Sequence, residues 1–295
     1  MNKTANSQAP TTDKSIISKE LKLRIISAIV LAIIVLTITW IGGLTFTLFW
    51  AVVAILILWE FNRICSSKIS FAQNIVSYIS LLLIISPWII GDYNIALIIF
   101  CVGIIVLGLW GYISNRSIWI ACSLAYAALP FFAMSEMRSN SYNGLVVILL
   151  LYFCVWGADI FAYFSGRTIG GPKLAPRISP NKTWSGFIGS LVGAFFFTYI
   201  VSFSAGFEPI PIFFVIMLLI AIVSQVGDLL ESGIKRRFKV KDSGALIPGH
   251  GGVLDRVDGL IVAAVSMWLI SYVLVFNLQD SSDLPTVFIN AFFMS

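Results

Sequence analysis

An all-α, polytopic integral membrane protein of about nine transmembrane helices, with its N-terminus in the cytoplasm, is the fold class this sequence predicts. Three observations carry that reading. Apolar residues make up 59 % of the 295 and charged residues only 11 %, with a mean hydropathy of +0.96, too much apolar surface for one water-soluble core. Hydrophobic runs long enough to cross ~30 Å of hydrocarbon recur along the whole chain. When those runs are taken as alternating spans, eighteen of the nineteen Lys and Arg fall on one side, which positive loops mark as cytoplasmic, and only Arg138 falls on the other.

Taken in order, residues 1–20 are polar and lack the apolar core of a cleavable signal peptide, so they read as a disordered cytoplasmic tail. The N-terminal spans fall at about 25–42, 44–62, 75–91, 95–113 and 117–134, the first two separated only by the Ile41-Gly42-Gly43 turn. The C-terminal spans fall at about 144–165, 187–205, 210–230 and 257–276. The chain divides by composition into residues 21–142, poor in charge, and residues 143–278, whose helices and cytoplasmic loops 167–186 and 233–256 hold nearly all the chemistry. Residues 279–295 read as a C-terminal tail outside the membrane, with Asp280 and Asp283 but no base.

The net charge of +5 therefore reports topology, and no basic stripe interleaved with aromatics suggests a nucleic-acid partner. Cys65, Cys101, Cys122 and Cys154 stand singly without CxxC spacing, which argues against a disulfide framework or a cysteine metal cluster. Gly186, Gly189 and Gly193 leave room for close packing against another helix, of this chain or of a second one.

Three places put charge where lipid would penalise it. Asp159 lies in VWGADIFAYFSGR, near the cytoplasmic end of the sixth span, with Tyr163 and Gly166 at helical spacing on the same side. A charged side chain at a helix centre costs ~3 kcal/mol on insertion scales, so Asp159 either faces a polar interior or reaches surface water. The second place is RTIGGPKLAPRISPNKTWSG, where Arg167, Lys173, Arg177 and Lys182 alternate with Gly, Pro and hydroxyl residues such as Ser179 and Thr183. Such a loop can hold phosphate oxygens, or can sit against anionic headgroups as an ordinary positive-inside loop.

The third place begins at SQVGDLLESGIKRRFK, where Asp228, Glu231, Ser232 and Lys235 share one helix face. It continues through Lys239, Lys241 and Asp242 to the turn Pro248-Gly249-His250-Gly251-Gly252, then to Asp255, Arg256 and Asp258 at the mouth of the ninth span. An Asp near a helix N-terminus is commonly a cap. Capping accounts for one such acid, and leaves unexplained two acids opposite another two with bases between them. Carboxylates and cations gathered at a membrane surface suit Mg²⁺-dependent phosphoryl or nucleotidyl transfer, with hard oxygen ligands for the metal and cations for the transferring phosphates.

The run SGIKRRFKVKDSGALIPGHGGVLDRVD, residues 232–258, closely resembles the signature of the phosphatidate cytidylyltransferases, or CDP-diacylglycerol synthases. Asp159 followed by an aromatic-rich run to Arg167, and the Ser-Pro-Asn-Lys-Thr segment from Ser179 to Thr183, match that family's upstream motifs. The first five spans match only in being hydrophobic, as the family's variable half does, and Ser185 stands where many members carry an acid or amide. The resemblance implies transfer of a cytidylyl group from CTP to phosphatidate in the cytoplasmic (inner) membrane, with Mg²⁺ as cofactor, an active site facing the cytoplasm and homodimerisation.

It further implies Asp228, Asp255 and Asp258 as metal ligands and Asp159 as the polar floor of the site. CTP or diphosphate would be held by Lys235, Arg236, Lys241 and Arg256, with Ser232 and Asp242 beside them, and lipid or nucleotide phosphate by Lys173, Ser179 and Lys182. His250 would hydrogen-bond phosphate or order its loop, since a phosphate monoester is already anionic and has little need of a general base. Gly251 and Gly252 would let backbone approach phosphate, so Gly252→Val is expected to weaken CTP binding. Asp255→Asn is expected to abolish turnover in a folded protein. A CTP-dependent lipid or polyprenol kinase is the alternative enzyme, sharing the helices and acids but moving the γ-phosphoryl group. A transporter would need charge near mid-bilayer and broken helices in both halves.

Overall fold

The computed structural model describes residues 14–114, 118–247, 251–279 and 282–294. Its helices are α1 (Lys14–Ile41), α2 (Gly43–Ile64), α3 (Phe71–Ile89), α4 (Tyr93–Ile113), α5 (Trp119–Met137), α6 (Tyr142–Thr168), α7 (Trp184–Ser204), α8 (Pro211–Arg237), α9 (Leu254–Leu278) and α10 (Leu284–Phe292). Two short antiparallel pairs join them: β1 (Lys173–Ala175) with β2 (Ser179–Thr183), and β3 (Glu208–Pro209) with β4 (Phe293–Met294). Among the described residues, eight helices, α2 to α9, are long and apolar enough to cross a membrane. The described apolar part of α1, Ile25–Ile41, is at the short end of what can span, so all nine expected runs are helical.

Three boundaries differ from expectation. Helix α1 begins at Lys14, inside the segment read as a disordered tail. Helices α6 and α8 run one or two turns past their apolar stretches, to Thr168 and Arg237, so the loops that follow them are shorter than polarity suggested. The C-terminal residues form no free tail: α10 buries Leu284, Val287, Phe288 and Phe292, and the Ile210 N–H donates to the Phe292 carbonyl at 3.0 Å. Period-3.6 apolar spacing over only nine residues is easily missed when the search is for spans.

Contacts at the expected outer side agree with the alternation of spans. Arg138 is 5 % exposed. Its Nε donates to the Thr39 carbonyl at 2.6 Å and its Nη2 to that of Trp40 at 3.2 Å, so it satisfies carbonyls that the end of α1 leaves without helical partners. The lone outer cation therefore closes a helix. The α1–α2 turn beside it requires glycine, since Gly42 and Gly43 have φ of +70° and +53°.

The glycine stripe of α7 packs against α6 of the same chain. A Cβ at Gly193 would strike the Gly157 carbonyl, one at Gly189 would strike Ser165, and one at Gly186 would lie 3.0 Å from the Ala162 carbonyl oxygen. This contact brings the hairpin between α6 and α7 over the end of α6 that carries Asp159. Gly193→Val is expected to cost at least about 2 kcal/mol by forcing the helices apart. The measurement is the thermal midpoint in detergent, and an unchanged midpoint would mean that the contact tolerates separation.

Candidate functional site

The C-terminal ends of α6 and α8 and the N-terminal end of α9 surround a cavity of about 810 Å³, roofed in part by the β1–β2 hairpin. Each wall has a local cause. Thr183 caps α7 by accepting the Gly186 N–H at 3.1 Å, which fixes the hairpin to its helix. Ser185, the departure from the family pattern, contacts Thr183 Oγ1 at 3.0 Å and donates to the Gly170 carbonyl, tying the two ends of the loop together. Helix α8 ends with Lys235, Arg236 and Arg237 in its last turn, where cations suit the dipole.

All five acids and bases expected to be catalytic line this one cavity: Asp159, Asp228, Lys235, Asp255 and Asp258. Lys182, Asp242 and Arg256 join them from the substrate-binding set. The remaining expected residues among those described do not line it. Lys173 and Ser179 sit at the far side of the hairpin, Lys173 exposed. Ser232 donates to Asp228 Oδ1 at 3.3 Å from behind, and Arg236 Nε reaches the Ile178 carbonyl at 3.4 Å. Lys241 is exposed beyond the rim, and His250, with the Pro248–Gly249 part of its turn, lies outside the described residues.

Two lysines expected to hold nucleotide are already engaged. Lys235 Nζ stands 2.6 Å from Glu231 Oε2 and 2.7 Å from Asp255 Oδ1, so one cation joins two nearly buried carboxylates. Lys182 Nζ stands 2.6 Å from Asp228 Oδ2 and 3.1 Å from Gln225 Oε1. Gln225 in turn donates to Asp159 Oδ1 at 3.3 Å, completing a chain from hairpin to cavity floor. The signal for Gln225 was present in the sequence, since it lies one helical turn before Asp228 on the same face. Among the described residues no Lys or Arg lies within 4.0 Å of Asp159 or Asp258, and Arg256 makes no ion pair.

Asp255 differs most from expectation. Its side chain is 7 % exposed. Besides Lys235, it accepts the Ser243 N–H at 3.1 Å to each oxygen and the Gly252 N–H at 2.9 Å. It is both a cavity wall and the link between Ser243 and Gly252, so Asp255→Asn removes structure as well as charge. Gly251 has φ +85°, and a Cβ there would lie 2.8 Å from Asp255 Oδ2. A Cβ at Gly252 would strike the Ser243 hydroxyl and stand 2.5 and 2.6 Å from the two carboxyl oxygens of Glu60. Both glycines thus have packing reasons of their own, beside the phosphate approach expected of them.

Glu60, near the C-terminal end of α2, was missed because its half of the chain carries so little charge. It is fully buried. It accepts the Ser243 hydroxyl at 3.0 Å, the Val253 N–H at 3.0 Å and the Leu254 N–H at 2.6 Å. A single acid in an otherwise apolar run was the available signal.

The lining holds five aspartates against four cations, Arg167, Lys182, Lys235 and Arg256. That balance would repel a nucleoside triphosphate and a lipid phosphate unless further positive charge entered with them. The donor chemistry fits Mg²⁺, which takes hard oxygens from one or two carboxylates and the rest from substrate and water. Asp258 has the capacity to hold it, and so has Asp228 through Oδ1, its Oδ2 being paired with Lys182, whereas both oxygens of Asp255 already accept from Lys235 or backbone N–H groups. Among the described residues no three acidic, His or Cys side chains come together as a metal site, so Asp228, Asp255 and Asp258 are not assembled as the three-carboxylate ligand set expected of them.

Comparison with known proteins agrees with the geometry. The family described as "Cytidylyltransferase family" matches residues 22–274. A protein named "Phosphatidate cytidylyltransferase" from Brucella abortus biovar 1 (strain 9-941) is 41 % identical over 255 residues, covering 84 % of this chain and 92 % of that one. Proteins of the same name are 36 % identical over 250 residues in Staphylococcus haemolyticus (strain JCSC1435), covering 82 % and 95 %, and 37 % identical over 193 residues in Rickettsia bellii (strain RML369-C), covering 62 % and 82 %. The match spans the charge-poor half and the acid-lined cavity alike, and the chain belongs to the cytidylyltransferase family.

Proposed function

We propose that this multi-pass membrane enzyme transfers the cytidylyl group of CTP to phosphatidate, giving CDP-diacylglycerol and diphosphate, at a cavity facing the cytoplasm from the inner membrane. The observation that carries the proposal is the gathering of five aspartates and four cations in one cavity at the ends of membrane helices. A lipid phosphate at headgroup depth and a cytosolic nucleotide can meet there. Tyr163 lines the cavity yet is 59 % exposed on the outer surface of α6, which leaves a side where acyl chains remain in the bilayer while the headgroup enters.

In this reading an oxygen of the phosphatidate phosphate forms a bond to the α-phosphorus of CTP. The bond from that phosphorus to the α,β-bridging oxygen breaks, and its electron pair leaves with diphosphate. No protein nucleophile is required, so the chain contributes position and charge. Among the described residues Arg256 and Arg167 make no ion pair, and these two cations of the lining would hold phosphate oxygens. Lys182 and Lys235 hold Asp228 and Asp255 in place. Asp228 and Asp258 would hold Mg²⁺, which when bound supplies charge neutralisation on the substrate phosphates.

The test uses CTP labelled separately in the cytosine ring and at the γ-phosphate, with phosphatidate, Mg²⁺ and membranes containing the protein. Ring label is expected in the organic phase and γ-label in released diphosphate. γ-Label in lipid would mean a kinase instead, and neither label in lipid would return the transporter.

A further inference from the structure

Glu60 belongs to α2, in the half of the chain that carries few charges, yet all its described polar contacts run to the segment that leads into α9. The first helical N–H groups of any α-helix lack partners within it. Helix α9 has no side-chain cap of its own, its preceding residue being Val253. Glu60 supplies the cap from another helix by taking the Val253 and Leu254 N–H groups, at the end of α9 where negative charge suits the dipole.

The same segment is gripped from the opposite side by Asp255. Ser243 gives its hydroxyl to Glu60 and its N–H to Asp255, and Gly252 gives its N–H to Asp255 while presenting its Cβ-free side to Glu60. Among the described residues no Lys or Arg lies within 4.0 Å of Glu60. The acid is thus buried without an ion-pair partner and compensated by hydrogen-bond donors alone. Burying such a group is costly, and an apolar residue of similar volume would serve packing at least as well.

We propose that Glu60 is a positioning residue of the reaction. It fixes Ser243, Val253 and Leu254 so that Asp255, and Lys235 bound to it, hold their places in the cavity wall. The inference rests on the cytidylyl-transfer reading for its kinetic part only, because the order of the segment can be measured without substrate.

The experiment uses the full-length protein in nanodiscs, as wild type, Glu60→Gln and Ser243→Ala. Hydrogen exchange is read across residues 243–256 without substrate, and kcat and both KM values are read with CTP and phosphatidate. A glutamine cannot accept all the donors that Glu60 accepts, so exchange in the segment is expected to quicken roughly 10-fold or more. The rest of the bundle should stay protected, kcat should fall by a similar factor, and the phosphatidate KM should hold, since the exposed flank at Tyr163 is untouched. Ser243→Ala keeps the N–H to Asp255 and loses one hydrogen bond, so it should show the same pattern more weakly in a protein of near-normal stability, and it decides the matter if Glu60→Gln does not fold.

Unchanged exchange in the segment would overturn the proposal. So would quickened exchange with unchanged kcat, or uniform loosening of all helices with normal turnover per folded molecule. A wild-type protein that incorporates no cytidine would overturn the reaction reading instead, and the exchange data would still decide whether Glu60 clamps the loop.

Discussion

Asp258→Asn is expected to lower cytidylyl transfer by on the order of 10³-fold while leaving the fold intact. Asp258 lines the cavity, and its contact among the described residues is a local one, accepting the Gly259 N–H at 2.8 Å. An asparagine retains an acceptor for that bond and removes the charge. The lining would then balance at four aspartates and four cations, and one of the two carboxylates with capacity for Mg²⁺ would be gone. The check is kcat over a Mg²⁺ titration beside the thermal midpoint. Activity within a few-fold of wild type at every Mg²⁺ concentration would remove Asp258 from the metal assignment. Asp255→Asn is a less clear probe, because its lost activity could arise from the lost link between Ser243 and Gly252.

Gly252→Val is expected to abolish most activity at all CTP concentrations and to lower the thermal midpoint by roughly 5 °C. The estimate follows from an overpacking cost of about 2 kcal/mol in a chain of this size. The first added carbon meets the Ser243 hydroxyl and both oxygens of Glu60, so the α9 entrance must move and Asp255 with it. Stability and a CTP titration separate this from the alternative that the sequence suggested. A normal midpoint with a raised KM for CTP would restore the role of close backbone approach to phosphate.

Much of the architecture was legible because the bilayer imposes a strong rule: a chain crossing hydrocarbon must satisfy its backbone within each segment, so apolar runs of span length become helices. All nine runs did so. The acids of the cavity were legible for a related reason, since Asp159, Asp228, Asp255 and Asp258 stand in or beside spans where an idle charge is penalised. Element ends were less legible. Helix α8 continues through Lys235 and Arg237 because cations suit its C-terminal dipole, even though the same residues read as loop by polarity.

The sequence by itself determined that this is a helical membrane protein, that most of its charged residues gather in its C-terminal half, and which signature that half carries. Hydropathy, charge placement and residue spacing are local properties that survive reading one residue at a time. Only the tertiary structure decided which of those charges are paired with one another. Lys182 and Lys235 read as phosphate ligands but are joined to Asp228, Glu231 and Asp255, and Arg256 makes no ion pair among the described residues. It also decided that Glu60 reaches the loop before α9 across more than 180 residues of sequence, and that the stripe of Gly186, Gly189 and Gly193 faces α6. Pairing of this kind depends on distances between helices, which are set by how side chains fill the space between them and not by spacing along the chain.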